Sequence, residues 1–149
     1  MKVTLLLCDN AQAVAGKLYI LGGGWSIAGP GPVTMGIAVK VEVPWDLANR
    51  KHQFRVALVD SDDHPVMVPT PAGDQPLQFG GEFEPGRPAG LRAGTPLDVT
   101  FAVNLVAVPL PPDGRYVWRC FINEETHEDW QLAFSTRPAP KAGGPALPQ

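Results

Sequence analysis

Acidic side chains beside a histidine are the first candidates for chemistry in this 149-residue sequence. Asp60, Asp62 and Asp63 share one short segment, and they could join Asp9 and Asn10 in a cation site if folding brought the two segments together. Calcium takes about six to eight oxygen ligands, which carboxylate-rich loops can supply. The same residues are ordinary turn formers, because their side chains bond nearby backbone groups. We interpret residues 60–63 as a polar turn and keep calcium binding as an alternative.

A second acidic group, residues 124–129, contains side chains suited to proton transfer. Glu125, His127, Glu128 and Asp129 could act as general acids or bases if a pocket enclosed them beside a substrate. A solvated loop between two strands explains the same composition more simply. Catalysis by this loop ranks last among our hypotheses, and we predict that the protein is not an enzyme.

The glycine run Gly22, Gly23 and Gly24 has the composition of a phosphate-binding loop but not its context. Such a loop needs a following Lys with Ser or Thr and the N-terminus of a helix, whereas Trp25 follows here and another strand pattern comes next. We predict a sharp connection between strands, with positive φ at one glycine. Small-molecule binding at this loop stays open as an alternative.

The remaining reactive residue types are isolated in the sequence. The three histidines have no neighbouring His or Cys at zinc-ligand spacing, and the three serines lack the surroundings of a nucleophile. Two cysteines, Cys8 and Cys120, are too few for a disulfide scaffold, so we expect free, buried thiols in a reducing compartment. We assign no catalytic, cofactor-binding or metal-binding residue and no cofactor.

Charge and hydropathy exclude several classes of partner. Lys and Arg number 12 against 15 Asp and Glu, a net charge of −3, whereas nucleic-acid and anionic-membrane binders carry a basic surplus. The apolar run after Lys2 ends at Asp9, too short for a signal-peptide core, and no stretch is long enough to span a membrane. We therefore predict a cytoplasmic protein with neither nucleic-acid nor membrane partners.

Strands must position these side chains, because a period of two dominates the sequence. Large apolar residues take every odd position from Val33 to Val43 and again from Leu97 to Leu105, which is typical of strands with one buried face. Weaker patterns predict a strand pair at residues 3–8 and 17–21 joined by a connection at residues 9–16, and a strand at 77–83 with a bulge at Gly80 and Gly81. Further strands are predicted near 53–60, 65–68, 115–123 and 130–136. A helical turn is expected only near residue 46.

These patterns, with 16 glycines and 17 prolines, predict an all-β fold. We expect about eight or nine strands in an antiparallel two-sheet β-sandwich, immunoglobulin-like or related, with a closed β-barrel as the alternative. Tyr116 lies at the position where, in such sandwiches, a tyrosine hydroxyl bonds back to the main chain. We expect Trp118 and Trp130 in the core. Trp25 and Trp45 should cap the core. Residues 1–137 form the predicted domain and residues 138–149, rich in Pro and Gly, a flexible tail.

Small residues on the polar faces of the two clearest strands suggest an interface. Gly36, Ala38 and Ala102 would let another surface approach closely, which favours a non-enzymatic module that binds a protein partner or itself, with a homodimer possible. In this interpretation Ala38→Arg breaks the interface without disturbing the fold. A small-molecule-binding or calcium-binding sandwich is the alternative function.

Most of the chain, to about residue 138, resembles one protein family. The segments LLCDNAQ (6–12), GKLYILGGGW (16–25), VPWD (43–46) and GRYVW (114–118), with the strand at 130–137, are similar to a family of small uncharacterised bacterial all-β proteins that is frequent in actinobacteria. The resemblance implies a cytosolic single-domain β-protein. It implies no activity and no site residues, because the family has no assigned function.

Overall fold

The computed structural model describes residues 1–141, and within that range the chain forms twelve β-strands and two short 3₁₀ helices with no α-helix. The all-β prediction is confirmed, with more strands than the eight or nine expected. The strands are β1 (Lys2–Cys8), β2 (Asn10–Val14), β3 (Lys17–Leu21), β4 (Ile27–Ala28), β5 (Val33–Val43), β6 (His52–Asp60), β7 (Met67–Thr70), β8 (Gly73–Pro76), β9 (Gln78–Phe83), β10 (Leu97–Val108), β11 (Arg115–Ile122) and β12 (Gln131–Thr136); the helices are Trp45–Leu47 and Glu128–Trp130.

The strands form two larger sheets and two hairpins. One sheet has the order β1-β5-β10 and the other the order β4-β12-β11-β6-β9, while β2 pairs with β3 and β7 with β8. All pairings are antiparallel except that of β12 with β4. In the part of the chain that the structure describes, no sheet closes on itself, so the alternative of a closed barrel is wrong.

Strands β5 and β10 follow the predicted alternation. Each odd-numbered residue of β5 is buried, and Val39 opposes Phe101 while Ile37 opposes Val103, so the apolar side chains of both strands point to the same face. Because side chains alternate between the two faces of a strand, the even-numbered residues lie on the outer face. The period of two therefore predicted the faces correctly.

One hydrophobic core joins the two larger sheets. Met35 and Ile37 of the first sheet and Trp118 and Cys120 of the second are completely buried in the same cluster. Phe54 of β6 stacks on Phe101 of β10 with ring centroids 4.2 Å apart. The predicted core position of Trp118 is confirmed, as is that of Trp130, which is also buried in the cluster.

Tyr116 makes the expected contact with the main chain at the start of β11. Its hydroxyl donates to the carbonyl oxygen of Pro111 at 3.3 Å, and the Thr136 hydroxyl donates to the same oxygen at 2.7 Å. The Gly114 N–H in turn donates to Thr136 Oγ1 at 2.9 Å, so the turn before β11 is tied to the end of β12. Burial raises the pKa of Tyr116 above its ordinary value of 10.0.

Three local predictions are wrong. The segments 3–8 and 17–21 do not pair: β1 pairs with β5, and β3 pairs with β2, a segment interpreted as a connection because its Asn, Ala and Gln are poor strand formers. No bulge occurs at Gly80 and Gly81, since β9 keeps a continuous register with β6. Gly80 instead permits close approach, because a Cβ at this position would overlap the Phe54 carbonyl oxygen.

Two remaining predictions concern the C-terminal tail and membrane-spanning segments. Residues 138–141 of the predicted tail are exposed and outside any strand, whereas residues 142–149 lie outside the described residues. Within residues 1–141, no helix is long and apolar enough to cross a membrane.

Candidate functional site

Half of the outer face of the β1-β5-β10 sheet is covered by the chain itself. The β2–β3 hairpin packs Ala11, Leu18 and Ile20 over Ala38 and Ala102, and Ala38 is only 2% exposed. The predicted interface of small residues is therefore wrong at Gly36, Ala38 and Ala102. Those residues are small because the chain's own hairpin needs the space above them.

Asn104 fastens this hairpin to the sheet. Its Nδ2 donates to the Ala11 carbonyl oxygen at 2.8 Å, and the Ala11 N–H donates to its Oδ1 at 3.0 Å. A Cβ at Gly36 would come within 2.8 Å of both Asn104 Oδ1 and Cys8 Sγ. Glycine at position 36 thus leaves room for the contact between Asn104 and Ala11.

The other half of this face is solvated. Lys2 lies 3.7 Å from Glu42 and Lys40 lies 3.7 Å from Asp98, measured between charged atoms, and these are exposed pairs of small energetic weight. The outward face of the hairpin is more apolar, since Val14, Tyr19 and Leu21 are exposed there by 51%, 57% and 70%. The hairpin therefore contributes exposed apolar side chains to this side of the molecule.

The free edge of β10 is the candidate functional site. Gly24 N donates to Leu7 O at 2.8 Å, so the backbone groups of Leu7 point away from β5. Ile37, which lies opposite Leu7, must therefore direct its own backbone groups towards β10, where it pairs with Val103. Backbone N–H and C=O groups of successive residues in a strand alternate in direction, so the even-numbered residues of β10 direct theirs away from β5. Among the described residues, no backbone group bonds to this edge, which consists of Asp98, Thr100, Ala102 and Asn104.

Half-buried apolar side chains accompany this edge. Val99, Phe101, Val103 and Leu105 point towards the core, yet each keeps part of its surface accessible. An open groove of about 610 Å³ lies between residues 85–88 and the start of β10. Another of about 460 Å³ lies beside its end, at residues 105–109. Both ends of this edge therefore border open grooves, and the β2–β3 hairpin packs over Ala102 between them.

The other sheet edges offer less to a partner. Gly24 occupies the edge of β1, and β4 contains only two residues. The edge of β9 is free but short, and it includes Gly80, Gly81 and the charged Glu82. β10, with twelve residues, is the longest free edge among the strands of residues 1–141.

The acidic segment at residues 60–64 forms the predicted polar turn. Asp60 Oδ1 accepts hydrogen bonds from the N–H groups of Asp62 at 2.9 Å and His64 at 3.0 Å. The bond from His64 in particular holds the pKa of Asp60 below its ordinary value of 3.8. One possible ligand atom from each of these three residues lies within 4.8 Å of the others. Asp63 instead pairs with Arg119 at 2.8 Å.

The structure does not assemble the whole calcium set that the sequence suggested. Asp9 and Asn10 lie at the base of the β2–β3 hairpin, outside the group formed by Asp60, Asp62 and His64. His64 rather than Asp63 completes the group, a ligand that the sequence pattern did not predict. Its position two residues after Asp62 was the available signal.

Residues 124–129 lie at the surface, where their contacts are structural. Glu124 pairs with Arg55 at 3.2 Å, and the Thr126 hydroxyl donates to Cys120 O at 2.7 Å. The His127 ring packs against Trp130 with centroids 4.4 Å apart. The acid–base candidates Glu125, His127, Glu128 and Asp129 are all exposed.

A buried histidine was missed by sequence reasoning. His52 is only 4% exposed, with Nε2 2.9 Å from Leu47 O and Nδ1 3.0 Å from Asn123 Nδ2. The Gln53 N–H donates to Asn123 Oδ1, which leaves the amide NH₂ to donate to His52 Nδ1 and Nε2–H to donate to Leu47 O. The alternation His52, Phe54, Val56 was the signal that the ring points inward.

The tryptophan and glycine predictions near β3 and β5 hold. Trp25 and Trp45 are half-buried against the core, Trp25 edge-on to Phe134 and Trp45 beneath Arg87, as expected of capping residues. Gly22 and Gly24 have φ of +60° and +95°, two positive values where one was predicted, and a Cβ at Gly22 would overlap the Asp9 carboxylate. Residues 22–24 therefore form a connection between strands.

Both cysteines are free and buried, as predicted. Burial, reinforced by Asp9, raises the pKa of Cys8 above 9.0. Burial alone raises the pKa of Cys120 from 9.0 to about 11. Neither thiol is activated as a nucleophile, because the thiolate is the reactive form.

Comparisons with known proteins give one match. The family model DUF6941, described as a family of unknown function, matches residues 3–135. No curated protein and no solved structure matches the chain. The family match carries no activity to the residues described above.

Proposed function

Because the chain belongs to DUF6941, a family of unknown function, we propose its role from its own surface: it is a non-enzymatic interaction module to which a protein strand is added at the free edge of β10. One observation carries the proposal. Asp98, Thr100, Ala102 and Asn104 direct successive N–H and C=O groups away from β5, where no described backbone group bonds them, beside half-buried apolar side chains. An added strand bonds such groups and covers such side chains.

The composition of β10 supports an edge that is kept open. Natural sheets protect free edges with Pro, Lys, bulges or very short strands. From Leu97 to Leu105 the strand contains neither Pro nor Lys, and its register shifts only between Leu105 and Val108. The unprotected stretch is therefore long enough to pair with another strand.

Affinity capture with paired edge variants tests this function. Thr100→Pro removes an outward N–H that an added strand would bond, so we expect it to abolish capture of any partner. The fold should be retained, because a proline on an edge strand leaves the bonds to β5 intact. Glu82→Pro is the control on the free edge of β9. Leu58 N donates to Leu77 O at 3.0 Å, so the odd-numbered residues here direct their backbone groups towards β6 and the even-numbered residues, including Glu82, direct theirs outward. Equal capture by the wild type and Thr100→Pro would contradict the proposal.

Cation binding at residues 60–64 is the second candidate function. The proximity of Asp60, Asp62 and His64 favours it, with an imidazole and carboxylates suiting zinc better than calcium. The test is a thermal-shift titration with each ion. A rise in Tm that Asp62→Asn abolishes would favour this function, because Asp62 contributes only its backbone N–H to the turn. Small-molecule binding remains the other alternative, and the two open grooves beside β10 are cavities that a ligand could enter.

The finer features of the fold and location belong to the same proposal. A two-sheet, immunoglobulin-like sandwich is supported by the core shared between the larger sheets and by the bond from Tyr116 to Pro111. A bacterial source is kept from the resemblance alone, whereas the cytoplasmic setting is supported by two free thiols, since disulfides are rare where glutathione keeps thiols reduced. Fractionation of the host cell tests the location.

A further inference from the structure

We propose that the strand added to β10 belongs to a second copy of this chain, paired antiparallel about a two-fold axis at Phe101. This inference rests on the proposed function and names the partner. It would extend the β1-β5-β10 sheet into a continuous six-stranded sheet across two molecules.

Backbone geometry selects the register. Only residues with outward groups can bond across the edge, and an axis at Phe101 opposes Asp98 to the second copy's Asn104 and Thr100 to its Ala102. All four outward residues of each copy then form hydrogen-bonded pairs. A two-fold axis repeats every pair, so the interface is self-complementary.

Registers with the axis at a neighbouring residue pair fewer groups. Moving the axis to Val99 or Thr100 brings Pro96, which has no N–H, into a bonding position. Moving the axis to Ala102 or Val103 places Val106 in a bonding position. Val106 lies where the register of β10 with β5 shifts, next to Ala107, whose φ is 52°. Phe101 is therefore the axis at which every bonding position falls on the regular part of β10.

Charge and apolar contact favour the same pairing. Asp98 is the one charged residue of β10, and in this register the two copies of it lie about 20 Å apart, well beyond the screening length at physiological salt. On the inner side, Val99 faces the second copy's Val103 and the Phe101 residues meet on the axis. Side chains that are half-buried in one chain are thus covered by their counterparts.

Disulfide cross-linking tests this strand register directly. In the double variant Val99→Cys/Val103→Cys, each new cysteine faces its counterpart across a non-hydrogen-bonded pair, a separation that a disulfide spans. We expect mild oxidation to give a reducible covalent dimer. Each single variant is the matched control, because identical positions lie about 13 Å apart and cannot be bridged. Single variants that cross-link as readily as the double variant would overturn the register.

Sedimentation equilibrium of the wild type and Thr100→Pro separates this inference from the proposed function. We expect a wild-type dimer and at least about thirtyfold weaker dimerisation of Thr100→Pro, since the two-fold axis removes two hydrogen bonds with one substitution. A wild type that stays monomeric at all concentrations overturns the second-copy inference. If affinity capture from the host is nevertheless lost in Thr100→Pro, the proposed function survives with a foreign partner.

Discussion

The side-chain amide of Asn104 bonds both backbone groups of Ala11, donating to its carbonyl oxygen at 2.8 Å and accepting from its N–H at 3.0 Å. The two residues are 93 positions apart, so this contact joins the beginning of the chain to β10. The Asn104 amide bonds both backbone groups of Ala11, as a residue of a neighbouring strand would. The hairpin is thereby held over the small residues Gly36 and Ala38.

We expect Asn104→Ala to lower the free energy of unfolding by about 1–2 kcal/mol, because the Ala11 N–H and C=O lose their partners at a site that water can partly reach. Urea denaturation measures this change. Asn104→Asp is the control, since it keeps an acceptor for the Ala11 N–H but has no donor for the carbonyl oxygen. No measurable effect of either substitution would contradict the role given to this contact.

Ala38→Arg is expected to destabilise the fold by about 3 kcal/mol or more, because it puts a charge among Cys8 and Ala11 beneath the hairpin. This result would correct the sequence-based expectation of a fold-neutral change. Lys40→Arg on the same strand should change stability by less than about 0.5 kcal/mol. Urea denaturation of the two variants in parallel makes the comparison. Native stability of Ala38→Arg would show that the hairpin does not cover this face.

Stability is expected to fall as the pH rises from 9 towards 11, with Cys120 contributing to the loss. Its folded pKa of about 11 exceeds its ordinary value of 9.0, so the unfolded chain loses this proton first and alkaline pH favours unfolding. Urea midpoints at successive pH values measure the slope. In Cys120→Ala the slope should decrease by up to about 1.4 kcal/mol per pH unit. An unchanged slope would contradict this assignment.

Asp60→Ala should destabilise the protein at neutral pH and have less effect in acid. The folded pKa of Asp60 lies below 3.8, so its ionised form stabilises the fold above that value, and this contribution is lost as the pH falls through the folded pKa. Unfolding free energies of the variant and wild type at pH 7 and pH 3 give the comparison. Ser61→Ala, in the same turn, is the control without a titrating group. A difference that grows in acid would contradict the argument.

The sequence predicts the two longest strands well because one face of each is apolar throughout and points towards the core. In β5 and β10 the alternation fixes which side chains enter the core, and the observed opposition of Val39 and Phe101 agrees with it. β2 could not be predicted in this way. Its Asn, Ala and Gln have little strand propensity, and its order depends on Asn104, far away in the chain.

The function of the small residues could not be read from their type. Gly36 and Ala38 indicate that a surface lies close above them, but the pattern is the same for a foreign surface and for the chain's own hairpin. The free edge of β10 was equally hidden, because the direction of its backbone groups follows from a bond between Gly24 and Leu7 rather than from side-chain periodicity.

Residue-resolved amide hydrogen exchange on the wild-type protein tests the central claim most directly. If the free edge of β10 takes a strand from a second copy, the N–H groups of Thr100, Ala102 and Asn104 should become protected as the protein concentration rises. The N–H of Glu82, on the free edge of β9, should exchange at the same rate throughout. Fast exchange of all four amides at every concentration would contradict the account.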